Sequence, residues 1–198
     1  MHFERIDSGS LPVGTVDLAR ALIGCVVVRD DESGRCAGRI IETEAYVLDD
    51  PASHAYIGPR ARTASMFRPP FYSYVYQIYG TSFCFNISSE PEGSGAAVLI
   101  RALEPLEGIE VMEGRRGTDV VRDLCRGPGR LCAALKIDRS LDAAYLPTDN
   151  RLWLAAPVRS LGAIGTSRRI GITRAASRRL RFYERNNPLV SGPKALSR

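Results

Sequence analysis

Lysine is almost missing from this chain of 198 residues: Lys136 and Lys194 are the only two, and every other basic residue is arginine. Histidine is scarcer in useful places, with His2 at the start and His54 alone inside the chain. A metal centre built on several imidazoles is thereby nearly excluded, and Schiff-base chemistry has few amines to use. The five cysteines, Cys25, Cys36, Cys84, Cys125 and Cys132, are odd in number and hold no CxxC pair. That pattern argues against a disulfide framework or a structural zinc site, leaving buried free thiols in a reducing cytoplasm as the expectation. No apolar run approaches the roughly 18 residues needed to span a bilayer, and residues 1–5 carry no signal core. A soluble, cytosolic protein without a membrane partner is expected.

What is present fits one substantial core. A composition of 44% hydrophobic and 25% charged residues at this length points to a single compact domain over residues 1–198. Net charge is +5, a bias toward polyanions that demands none. Arginine in place of lysine suits bidentate phosphate contacts and stacking on bases. A GC-rich genome enriches arginine equally well, so composition alone leaves both readings open.

Along the chain, Val16, Ala19, Leu22 and Ile23 fall at helical spacing over residues 15–23, with Thr15 as the N-cap and Gly24 as the stop. Residues 25–29 and 36–46 read as a β-hairpin about Asp30 to Gly34. Residues 47–70 carry five glycine or proline breakers and no period, which marks a functional loop bearing His54, Arg60 and Arg62. Residues 71–79 and 83–88 form a second hairpin, and 96–103 a strand ending at Glu104-Pro105. Helices follow at 106–115, 120–124 and 131–137, the last opened by Gly127-Pro128-Gly129-Arg130. Late strands are expected at 152–155, 169–173 and 180–184. The fold class is α+β, with a mainly antiparallel sheet and peripheral helices.

On a strand, Glu42, Glu44 and Tyr46 share one face while Thr43 and Ala45 take the other. Two half-buried carboxylates are costly unless paired or employed; a solvated acidic face is the plain alternative. Tyr72, Tyr74 and Tyr76 likewise share a face, either as ordinary strand chemistry or as a surface for an aromatic ligand. Tyr79 stands before Gly80 at a hairpin tip, where a projecting ring can act as a wedge in a base stack. Arg101, set among Val98, Leu99, Ile100, Ala102 and Leu103, needs a carboxylate or phosphate partner. From 167 to 186, seven arginines face the single acid Glu184, and Ile170, Ile172, Leu180, Phe182 and Tyr183 alternate with them. A basic outer face for phosphate contact is one reading, a solvated face the other.

Taken in order, Leu18-Ala19-Arg20-Ala21-Leu22-Ile23-Gly24, Ile40-Ile41-Glu42-Thr43-Glu44-Ala45-Tyr46, Tyr74-Val75-Tyr76-x-x-Tyr79-Gly80, Asn86, Arg101-Ala102-Leu103-Glu104-Pro105 and Gly127-Pro128-Gly129-Arg130-Leu131-Cys132 form a specific combination. It resembles the alkyladenine (3-methyladenine) DNA glycosylases of bacteria and mammals, from about Leu18 to Ser191. The resemblance implies one mixed α/β domain with a curved antiparallel sheet and no helix-hairpin-helix. It also implies a monomer on double-stranded DNA that flips a damaged purine and hydrolyses its N-glycosidic bond in base excision repair, without metal or cofactor.

By position, Glu44 resembles the base that activates water, with Arg101 and the backbone carbonyl of Ile170 holding that water. Tyr46, His54 and Tyr76 resemble the base-stacking pocket, Asn86 the amide that crowds the 2-amino group of guanine, and Tyr79 the intercalating plug. A guanidinium near Glu44 is expected to lower its pKa and keep it ionised. Thr63, Phe71, Thr81 and Leu180 depart from the family pattern, and are expected around the intercalating tip and DNA face. The rival reading is a non-catalytic nucleic-acid-binding module that uses the aromatic strands as a stacking platform.

Overall fold

The computed structural model describes residues 1–78 and 80–193. Its frame is a mixed α+β domain on one curved, antiparallel, eight-stranded sheet. The strands are β1 (Val26–Asp31), β2 (Gly34–Tyr46), β3 (Ser73–Ile78), β4 (Ser82–Ser89), β5 (Ala96–Glu107), β6 (Leu152–Ala155), β7 (Ile164–Ser167) and β8 (Arg181–Glu184). They run in the order β3-β4-β5-β2-β1-β6, with β8 paired to both β2 and β7. The helices are α1 (Thr15–Ala21), α2 (Ile109–Arg116), α3 (Val121–Leu124) and α4 (Pro128–Ala134).

β2 organises the rest. Along one edge it pairs with β5, and along the other it pairs first with β1 and then, from Glu42 to Glu44, with β8. Its two faces differ as alternation demands. Thr43 donates to the carbonyl of Ala19 on α1 at 2.8 Å, and Ala45 joins the main core with Leu18, Phe85, Ile100 and Leu131. Glu42, Glu44 and Tyr46 face the other way. Two irregularities prepare this face: Ile41 has no partner between Ile40↔Leu103 and Glu42↔Ala102, and Arg101 has none between Glu42↔Ala102 and Thr43↔Ile100. A bulge re-aims a side chain where a regular ladder would not, and here it turns Arg101 toward both glutamates.

Several expectations are corrected. Thr15 is not the N-cap of α1: Gly14 is, and Thr15 instead donates both its N–H and its hydroxyl to Glu90, each at 2.7 Å. The 47–70 loop holds a 3₁₀ helix, Ala61–Phe67. β5 continues through Pro105 to Glu107, because Pro105 pairs with Gly38 at a register shift where the ladder tolerates a missing donor. Residues 169–173 form no strand; their place in the sheet is taken by β7, Ile164–Ser167. Of the seven arginines between 167 and 186, Arg169 and Arg181 are buried and bound to carboxylates, so the segment is not uniformly a basic outer face. Nor do the four departures share one exposed surface. Thr63 is buried in the 3₁₀ helix, Phe71 lies in the core at φ 74° and Leu180 packs against that core, leaving Thr81 exposed at the hairpin.

β7 is glycine-dependent at one point. Gly165 faces Tyr183 across the β7–β8 ladder, and a Cβ there would stand 2.5 Å from the tyrosine ring. Gly165→Ala is therefore expected to destabilise the protein by about 1–3 kcal/mol through overpacking. A urea titration checks this, and an unchanged midpoint would show that the ring yields freely.

Candidate active site

Beneath the sheet face carrying Glu44 lies a cavity of about 600 Å³, lined among others by Tyr46, His54, Tyr74, Tyr76, Asn86 and Arg101. β3 supplies its aromatic wall. Tyr74 and Tyr76, two residues apart on one strand face, stack with centroids 5.2 Å apart and planes inclined 29°. His54, from the long loop, meets Tyr76 edge-on at 4.6 Å and holds the Tyr74 hydroxyl with Nδ1 at 2.9 Å. Burial first, and the charge of Arg62 second, push the His54 pKa below 6.5, so the ring is neutral at neutral pH. The wall thus offers π-faces and no cation. Asn86 on β4 spends its side-chain N–H on the carbonyl of Tyr74, 3.0 Å away, which fixes the amide against the wall.

The charged end holds two fully buried carboxylates and two buried guanidiniums. Glu42 accepts from Arg101 Nε at 3.0 Å, from Arg181 Nε at 2.6 Å, and from the N–H and hydroxyl of Ser191 at 2.6 and 2.9 Å. Glu44 accepts from the Ile170 N–H at 2.7 Å on Oε1 and from the Tyr46 hydroxyl at 3.0 Å on Oε2; Arg101 Nη1 lies 3.3 Å from Oε2.

Burial acts on both acids, with opposite outcomes. For Glu42, burial alone would raise the pKa, but Arg101, Arg181 and the Ser191 N–H outweigh it and hold the group below 4.5. For Glu44, burial prevails over Arg101 and the Ile170 N–H, and Glu42 adds its repulsion, so the pKa rises above 4.5. The guanidinium at Glu44 therefore does not produce the lowering expected from sequence. Environments that separate two neighbouring carboxyls mark distinct roles. Glu42 is the fixed counter-ion of Arg101 and Arg181, whereas Glu44 is held with its pKa shifted upward, the direction that general-base work favours.

The model of the family described as methylpurine-DNA glycosylase (MPG) matches residues 11–188. The chain belongs to this family. Relatives named "Putative 3-methyladenine DNA glycosylase" include one from Mesorhizobium japonicum, 53% identical over 191 residues, covering 96% of this chain and 92% of that protein. Another, from Paraburkholderia phytofirmans, is 45% identical over 186 residues, 94% of this chain and 87% of its own. A third, from Methanoculleus marisnigri, is 43% identical over 180 residues, covering 89% and 93%.

In this glycosylase-family chain the site residues named from sequence are brought together with one reservation. Glu44, Arg101, Tyr46, His54, Tyr76, Asn86 and Ile170 surround or touch one cavity or its charged end, whereas Tyr79 lies outside the described residues. Ile170 meets Glu44 through its N–H. Tyr74, whose spacing of two from Tyr76 signalled a shared face, lines the cavity beside it. Asp50 and Arg169, which underpin the cavity walls, carried no such local signal. Among the described residues no group of three His, Cys, Asp or Glu could hold a metal ion, and no helix is long and apolar enough to cross a membrane.

The cysteines behave as structural thiols. All five are buried and free, and burial raises the Cys25 and Cys125 pKa values to about 11 and about 12. Cys84 alone lines the cavity, its thiol also shifted up by burial.

Proposed function

We propose that this protein is a monofunctional DNA glycosylase that flips alkylated purines out of duplex DNA and hydrolyses the N-glycosidic bond. The observation that carries the reading is the buried Glu44, raised in pKa and directed by three donors, at the end of a cavity walled by stacked tyrosines and a neutral histidine. A carboxylate beside a phosphate chain is a liability to a mere binder, which favours catalysis over a passive stacking platform.

Oε2 of Glu44 is taken by the Tyr46 hydroxyl and Arg101, whereas Oε1 accepts from the Ile170 N–H alone and retains a lone-pair direction for water. Water adds its oxygen to C1′ of the sugar and passes a proton to Glu44; the bond's electron pair leaves with the base. A cationic base such as 3-methyladenine or 7-methylguanine departs neutral and needs little further help. Tyr46, His54 and Tyr76 stack on that base, whose positive charge favours electron-rich faces. Asn86 crowds the 2-amino group of normal guanine, and Ile170 and Arg101 fix the direction of Glu44. Exposed Arg174 at the cavity rim and Arg126, Arg130 and Lys136 in a neighbouring groove supply phosphate contacts. The protein acts as a monomer in the bacterial cytosol.

Incubation with alkylated duplex DNA should release free base and leave an abasic site without strand cleavage, undiminished by excess EDTA. Failure to release base, complete loss in EDTA, or a borohydride-trapped adduct at either lysine would refute this.

Tyr79 and Tyr76 should separate plug from pocket. Flipping costs a few kcal/mol and requires the vacated stack to be filled, so Tyr79→Ala should release base poorly from duplex yet lose much less on single strands. Tyr76→Ala, which removes stacking on the base itself, should impair both substrates. Equal losses for Tyr79→Ala on both would place its ring in the core or the pocket.

A further inference from the structure

One buried ion pair outside the catalytic set joins the two sides of the cavity. Arg169 and Asp50 both have side chains shielded completely from solvent and pair through both guanidinium ends, Nη2 to Oδ1 at 3.0 Å and Nη1 to Oδ2. Nη1 also donates to the carbonyl of Ala45 at 3.0 Å, and the guanidinium lies 4.6 Å from the centre of the Tyr46 ring. Arg169 therefore grips the end of β2 at the two residues that follow Glu44, Ala45 and Tyr46. Its Nε is buried with no hydrogen-bond partner among the described residues, so the group is held where its contacts to this site are best rather than where all its donors are satisfied.

Both partners lead directly into cavity walls. Asp50 accepts from the Ala52 N–H at 3.1 Å and starts the turn that presents Ser53 and His54. Arg169 precedes Ile170, whose N–H binds Glu44 and whose successors, Gly171 to Arg174, form the opposing rim. Neither rim segment is a strand, so regular sheet pairing does not hold either in place.

We propose that the Arg169–Asp50 pair is a positioning device that locks the two cavity walls together and sets the Ile170 N–H against Glu44. The proposal rests on the reading of this cavity as a glycosylase active site. Neither residue touches the reacting atoms; both act through Tyr46, His54 and Ile170. A misplacement of about 1 Å can cost roughly 100-fold in rate, and the pair governs distances of that order on two sides of the base.

The charged and titratable groups around Glu44 are Arg101 on β5, Glu42 and Tyr46 on β2 and Cys84 on β4, with Arg169 behind Tyr46. Of the interactions that lower the Glu44 pKa, the Ile170 N–H is the one that depends on the loop after β7. Loosening the pair should therefore weaken that hydrogen bond and move the Glu44 titration further upward, shifting the acid limb of base release to higher pH.

Arg169→Lys keeps the charge but loses the planar fork. It is expected to slow single-turnover release of 7-methylguanine from alkylated duplex by about 10- to 100-fold. Affinity for an abasic-site duplex should be unchanged and the acid limb displaced upward. Titration of the Glu44 carboxyl by ¹³C NMR, assigned through Glu44→Gln, should show the same displacement without reference to activity. Wild-type rate and titration would overturn the proposal, and so would a rate loss matched by the loss of folded protein with an unmoved carboxyl. Should Arg169→Lys not fold, Asp50→Asn is measured in the same two ways. If the wild-type protein releases no base, the functional reading fails, while the carboxyl titration still decides whether the pair sets Glu44.

Discussion

Glu44→Gln is expected to lose base release by about 100- to 10,000-fold while keeping its fold and its grip on DNA. The amide retains the shape, and its single oxygen can still accept from the Ile170 N–H while its NH2 turns toward the Tyr46 hydroxyl, yet it cannot take a proton from water. Stability should not fall with activity. The Glu44 pKa is raised on folding, so its favourable contribution is present below the unfolded value and is lost as pH rises through the folded one. At neutral pH the ionised group is therefore a burden on the fold, and Glu44→Gln should melt at or above the wild-type temperature. Single-turnover kinetics and thermal melts on the same preparation test both halves. Wild-type turnover for this variant, with loss in Glu42→Gln, would mean the wrong acid has been assigned.

Glu42→Gln should show the inverse pattern, a loss of stability of about 3–5 kcal/mol, because it leaves two buried guanidiniums without their shared counter-ion. Here the folded pKa is depressed, so the contribution is present above the unfolded value and disappears as pH falls through the folded one. The gap between wild type and variant should be widest at neutral pH and narrow below about pH 4.5. Urea titrations at neutral and acid pH read this directly; equal gaps at both would show that Glu42 is not ionised in the native protein. Residual turnover in the folded fraction should exceed that of Glu44→Gln, since Glu42 touches Arg101 and not the water.

Much of this was legible in local pattern. Period-two alternation put Glu42, Glu44 and Tyr46 on one face, and the structure keeps them there because Thr43 and Ala45 are claimed by the core behind. Alternation misled at 169–173 for an equally physical reason. Ile170 and Ile172 belong to a stretch, Ile170 to Arg174, that lines the cavity residue by residue outside the sheet, so their alternation reports no ladder. β7 escaped notice because Gly162, Ala163 and Gly165 are weak strand formers, and the small residue at 165 is demanded by a tyrosine on another strand. The bulge that frees Arg101 and the tie between Asp50 and Arg169 depend on partners 59 and 119 residues away, beyond any window of local periodicity.

The seal that Ser191 places over Glu42 has a consequence for how the protein is made. Ser191 follows Glu42 by 149 residues, and at ribosomal speeds of about 5–20 residues per second that interval lasts roughly 7–30 seconds. Throughout it the nascent chain can form the β1–β2 hairpin, but Glu42 lacks Arg101 at first, then Arg181, then the serine, and must stay hydrated. The face of β2 that carries both glutamates closes only when these late segments arrive. Until residue 191 has been made, the chain therefore has a partly built sheet but no finished acid site, and the sealing of Glu42 is among the last steps of its folding.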